Sequence, residues 1–187
     1  MVFEITVAIS HVAQNEKSAT ATMAITCDCK RSVPPLKNSP SLPAAFAVGQ
    51  SVRASGADVL AAAVFGYEVV CRIAMATPHG FHAQGLHATQ VAGVFSSAAI
   101  TAKLTGQNLE TATNALGIAG SSAGGLLEFL TTGASTKQLH PGGASMNGIL
   151  AARLAAEGAS GPSTVLEGPH GIFNALSDRP ADFASVV

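Results

Sequence analysis

From Pro43 onward the apolar residues of this chain recur at the spacing of a helix face, and strand-like alternation is almost absent. Side chains three and four places apart share one side of a helix, so such a pattern buries its apolar stripe most readily against other helices. No βαβ alternation interrupts it, and no repeat with a period of about 20 to 50 residues points to a solenoid. The expected fold class is therefore all-α, a helical bundle over residues 39–187. Residues 1–38 read differently. Strand-like runs at 2–9 and 20–27 precede a Pro-bearing linker, CKRSVPPLKNSP, so this part is expected to be an irregular N-terminal segment.

Start and stop signals divide the bundle. Residues 44–54 form a first expected helix, stopped at Ser55-Gly56. Asp58 favours the start of a second over 59–76, where Leu60, Val64, Tyr67 and Cys71 follow helical spacing and Glu68 pairs with Arg72 at i,i+4. Pro78, Gly80 and Gly85 mark a loop over 76–86 that holds His79 and His82 and is closed by His87. A helix over 89–104 carries Gly93, Ser96, Ser97 and Ala99, whose small side chains permit close helix contact, and Gly106 follows it as a stop. Asn108 caps the next helix, with Thr111 in its first turn, running toward Ile118. Residues 126–130 form a short apolar turn. Residues 136–142 are expected to be a polar turn with Pro141 entering the last helix, 146–157, which Gly158 ends. Most of Gly56, Gly106 and Gly158 should have positive φ.

Composition narrows the classes of function. Charged residues make up 11% of the chain and the net charge is −1, so no broad positive field draws it to nucleic acid or to an anionic membrane. With 48% hydrophobic residues and so few charges, part of the surface is expected to be covered by another subunit or domain, and a homodimer or larger assembly is expected. Three cysteines, Cys27, Cys29 and Cys71, lack the spacing of a disulfide framework or a four-ligand zinc site, which fits a reducing, cytoplasmic setting. Polar and small residues break the apolar runs before about 20 residues, so no membrane-crossing helix is expected. Residues 1–9 carry Glu4 without a basic stretch, and residues up to 31 are too acidic for a mitochondrial presequence.

Most chemical motifs are absent: no GxGxxG after a strand, no P-loop, no HExxH and no paired CxxC. Gly120-Ser121-Ser122-Ala123-Gly124 matches G-x-S-x-G, but a nucleophile elbow needs a strand before the serine, and the flanks here read as helical. His82 and His87 stand five apart in a Gly-containing loop without a third ligand at metal spacing, so a metal site has little support and exposed-loop histidines are the commoner reading. In the segment 136–142, Lys137 and His140 lie at a helix entrance beside the amides of Gly142 and Gly143. Unpaired amides, a positive helix end and a lysine together favour an anion, so this is a candidate carboxylate-binding turn. The alternative is an ordinary helix connection with a solvated lysine. His87 stands at the mouth of the helix over 89–104, where a histidine can act as acid or base. Reaction at a carbon beside a carboxylate needs such a group together with a cation that holds the anion, and His87 and Lys137 are the candidates.

The runs GLHATQVAGVFSSAAITAKLTGQN and ALGIAGSSAGGLLEFLTTGASTKQLHPGGASMNGILAARLAAEGASGPSTVLEGPHGIF, preceded by SPSLPAAFAVGQSVRASGADVLAAAVFGYEVVCR, closely resemble the MmgE/PrpD family over about residues 39–175. Members of that family include 2-methylcitrate dehydratase and cis-aconitate decarboxylase. The resemblance implies a mostly helical domain that takes part in a dimer and packs, in full-length relatives, against a smaller α+β domain, with the active site between the two and no metal or organic cofactor. It places His87 in the family's F/L-H-P/A-T segment and Lys137 in its T-K-x-L-H-x-G segment, both active-site positions. Thr136 and His140 share the latter segment and are carried over with Lys137 as substrate-binding residues. The implied activity is that of a lyase on a small di- or tricarboxylate, by dehydration or decarboxylation. Departures matter. Gly143 replaces a residue that is bulky in many relatives, and His82 lies in a variable loop. The family's acidic segment with paired aspartates is not recognisable in residues 1–38, and its C-terminal lid domain is not found after about residue 180. Those departures raise the alternative of a non-catalytic helical domain that serves as a dimerisation or scaffold unit.

Overall fold

The computed structural model describes residues 39–186, so the strand and linker expectations for residues 1–38 lie outside the described residues. Within the described residues the chain is all-α: α1 (Ser41–Val52), α2 (Gly56–Ala76), α3 (Gly80–Ala83), α4 (Ala88–Leu104), α5 (Leu109–Gly120), α6 (Phe129–Thr132), α7 (Thr136–Ala156) and α8 (Ile172–Ala175), then a 3-10 turn at Phe183–Ser185. The only extended pairing among them is an isolated antiparallel bridge between Leu86 and Leu126.

Helix α4 is the centre of the bundle. Every residue from Val91 to Ala102 is buried, and α1, α2, α5 and α7 all pack against it. Small residues permit this. A Cβ added to Gly148 of α7 would lie 2.5 Å from the Val94 carbonyl oxygen and 2.7 Å from the Ala98 nitrogen, so α7 rests directly on the α4 backbone. Gly93 of α4 likewise sits against Pro40 and Ala144. The two helices run parallel. His87, just before α4, meets His140 early in α7, whereas Gln107, just after α4, donates to the Ala152 carbonyl near the far end of α7 at 2.9 Å.

Four local expectations are corrected. Ser55-Gly56 does not stop α1; Arg53 does, with φ 56°, and Gly56 is instead the first residue of α2. The reason is a reciprocal cap: Ser55 Oγ accepts from the Asp58 amide at 3.2 Å, and Asp58 Oδ2 accepts from the Ser55 amide. Gly106 and Gly158 do adopt positive φ, 66° and 91°, beyond the ends of their helices. Residues 136–142 are no turn but the opening of an unbroken α7, with Pro141 inside the helix. Proline lacks the amide that would bond the Lys137 carbonyl, a loss that falls near the helix start. The loop over 76–86 contains the single helical turn α3, anchored by Phe81, which stacks on Phe173 with ring centres 6.2 Å apart. Finally, α2 is long and apolar enough to cross a membrane by length and composition alone. Its Ala62, Ala63, Phe65, Val69 and Ile73 face is buried in the bundle, while Leu60 and Val64 point outward.

Ser55→Ala removes one half of the α2 cap, so it is expected to cost about 1 kcal/mol. That is roughly 2–4 °C in melting temperature for a chain of this size, read by circular dichroism.

Candidate active site

Parallel packing of α4 and α7 brings their N-termini to one end of the bundle, and the sequence-derived residues sit there. His87 is the N-cap residue of α4, and its side chain makes no capping bond. Its backbone is fixed from below, because the His87 amide donates to the Gly125 carbonyl at 2.7 Å and the Leu127 amide donates to the Gly85 carbonyl at 2.8 Å. Gly125 is required for this clamp: its φ is 95°, and a Cβ there would come within 2.8 Å of Gln90 Oε1. His140 lies in the second turn of α7 and approaches across the gap. The two imidazoles meet through Nδ1 atoms 2.8 Å apart. A bond between two ring nitrogens needs one donor and one acceptor, so the rings hold complementary tautomers. The buried Phe129 ring stands edge-on to both, with centres 5.6 Å from His87 and 5.5 Å from His140.

His87 and Lys137 line a shared cavity of about 780 Å³. Tyr67 and Cys71 of α2, His79 and His82 around α3, and Phe129 and Leu130 of α6 contribute to its wall. Ala88 and Thr89 do so as well, so the amide end of α4, which is the positive end of the helix dipole, opens into the cavity. Among the described residues, no aspartate or glutamate lines it, and Lys137 is the one lysine or arginine that does. An anion is the ligand that this wall favours. Thr136, exposed at the first position of α7, and His140 both lie outside the wall; His140 reaches the cavity only through the His87 ring. No group of three or more His, Cys, Asp or Glu able to hold a metal occurs among the described residues.

His82, His87 and His140 are shifted toward the neutral ring. Burial, then the neighbouring His140, His82 and Lys137, push His87 down to about 4. Burial also lowers His140, and burial with His79 lowers His82. The unfolded chain takes up protons at these side chains as pH falls below the ordinary histidine value near 6.5, whereas the folded chain resists. Stability contributed by the neutral rings is thus complete above about 6.5 and is lost as pH falls toward 4. The chemical-denaturation midpoint should fall between pH 7 and pH 4.5, and less steeply in His87→Asn.

The G-x-S-x-G match is no nucleophile elbow, since α5 runs directly into it and Ser121 and Ser122 are exposed in the turn that follows. Two wall residues had no site signal in the sequence. Tyr67 reads only as a helical apolar position, yet its hydroxyl is buried without a hydrogen-bond partner. Phe129 reads as part of an apolar turn, yet it packs against the histidine pair.

Residues 28–184 match the MmgE/PrpD N-terminal domain, and the chain belongs to the MmgE/PrpD family. It is 36% identical over 139 residues to a cis-aconitate decarboxylase of Aspergillus terreus, an overlap of 71% of this chain and 28% of that protein. To a cis-aconitate decarboxylase-like protein, oryM, of Aspergillus oryzae it is 34% identical over 121 residues, covering 64% of this chain and 25% of that protein. The chain thus spans about a quarter of the length of these relatives.

Proposed function

We propose that the cavity receives a small di- or tricarboxylate and that the site performs lyase chemistry, decarboxylation of the cis-aconitate type or dehydration of the 2-methylcitrate type. The observation that carries this reading is the convergence of His87, Lys137 and the α4 amide end on one cavity whose described wall has no carboxylate. Likeness to cis-aconitate decarboxylases supports the substrate class. In this reading Lys137 Nζ and the α4 amides hold substrate carboxylates, and His87 moves the proton. In a decarboxylation the bond from the departing carboxyl carbon breaks, its electron pair shifts into the substrate, and a protonated His87 delivers a proton to carbon. In a dehydration neutral His87 takes the proton from carbon as hydroxide leaves. A bound carboxylate beside the ring favours its charged form, which raises its proton affinity when substrate is present. Incubating the purified chain with cis-aconitate and with 2-methylcitrate tests the reading. Binding of either acid is the expected result, with weak turnover at most, read as carbon dioxide release or as loss of water to give an unsaturated acid. Neither product, together with no binding of either acid, would overturn it.

A second copy is proposed as the cover of the outer face of α7. Leu139, Met146, Leu150 and Leu154 form one stripe along it and are 67%, 66%, 52% and 43% exposed. Apolar stripes of this kind mark interfaces more often than solvated surfaces. Light scattering at micromolar concentration should give a dimer or larger, with Leu150→Asp shifting it toward monomer. A soluble wild-type monomer would refute the dimer, and with it the scaffold alternative in which the domain acts by dimerising.

A further inference from the structure

His140 stands behind the cavity wall, and its one polar contact with the site is the 2.8 Å approach of its Nδ1 to His87 Nδ1. We propose that His140 is a positioning residue: its Nδ1 accepts the His87 Nδ1 proton and so fixes the tautomer that leaves His87 Nε2 unprotonated toward the cavity. This inference rests on the reading of His87 as the proton carrier.

The direction of the bond follows from what each arrangement permits. If His140 were the donor, His87 Nδ1 would be occupied as an acceptor and Nε2 would already hold its proton. Taking up a proton from substrate at Nε2 would then be impossible, and giving one away would require an imidazolate. With His87 as donor, Nδ1 keeps its proton throughout and Nε2 alone gains or loses one, cycling between neutral ring and imidazolium. The surroundings favour the same arrangement. Lys137 and the positive end of α4 lie on the cavity side of His87, and positive groups face a nitrogen lone pair more favourably than an N–H. His79 and His82 also border the cavity; His82 bears directly on His87. Phe129 packs edge-on against both rings.

The test reads the tautomers directly, by long-range proton–nitrogen correlation spectra of ¹⁵N-labelled full chain at pH 7 without substrate. His87 should display a protonated Nδ1 and a bare Nε2, with the reverse at His140. In His140→Leu the acceptor is lost, and His87 should show a shift of its proton toward Nε2. In His140→Asn, whose side-chain oxygen can take the place of Nδ1, the wild-type pattern should persist. A wild-type spectrum with His87 protonated at Nε2, or a folded His140→Leu with the His87 pattern unchanged, overturns the proposal. The wild-type spectrum decides the matter even where the leucine variant does not fold. Because no turnover is needed, an intact tautomer in a chain that binds no carboxylate would sink the functional reading and leave only the tautomer assignment standing.

Discussion

Replacing Lys137 by alanine is expected to weaken binding of cis-aconitate or a comparable tricarboxylate by roughly ten- to a hundredfold. A charge-assisted contact is worth about 1.5–3 kcal/mol, and about 1.4 kcal/mol corresponds to a factor of ten. Lys137 is the one lysine or arginine among the described lining residues, and no carboxylate of that lining competes for it. The α4 amides remain in the variant, so the loss should be partial rather than complete. Arg153→Ala is the matched control: it removes an exposed cation from the last turn of the same helix, away from the cavity wall. Isothermal titration that finds equal losses in the two variants would mean that only general charge attraction had been measured.

Gly148→Val should have the largest effect on stability. The added side chain meets the Val94 carbonyl oxygen and the Ser97 Cβ at 2.5 Å and the Ala98 nitrogen at 2.7 Å, and backbone atoms of a buried central helix have little room to move. Overpacking typically costs about 1–3 kcal/mol and sometimes more, and contact with backbone puts this case at the upper end. A fall in melting temperature of roughly 10 °C is expected at about 2–4 °C per kcal/mol. Gly142→Ala, in the same helix with nothing within 4 Å of the new Cβ, should instead be neutral or slightly stabilising. If the valine variant melted with wild type, the close crossing of α4 and α7 would not exist in solution.

What the sequence made legible was mostly local. The Asn108 side chain accepts from the Thr111 amide at 2.9 Å, and Glu68 pairs with Arg72 at 2.6 Å, because both contacts depend only on spacing within one helix. Gly106 and Gly158 end their helices for the same reason. Ser55-Gly56 was ambiguous because serine followed by glycine can stop one helix or start another, and the Asp58 carboxylate decides it. Pro141 suggested a helix entrance, but the helix had already begun at Thr136, on polar residues that look like a turn. Small residues in α4 indicated close packing without naming the partner, which proved to be Gly148. Family likeness picked out His87 and Lys137, and parallel packing puts both on one cavity. The His87–His140 bond was beyond reach of pattern reading, since its partners are 53 positions apart and meet only when two helices align.

His87 is expected to stay neutral in the cavity it shares with Lys137 until a carboxylate arrives. The His87 ring resonances can be followed against pH, first in the free chain and then with saturating cis-aconitate. A midpoint near 4 is expected in the free protein, rising when the acid is bound, with the rise reduced in Lys137→Ala. A midpoint at the ordinary histidine value near 6.5, unmoved by the acid, would contradict it.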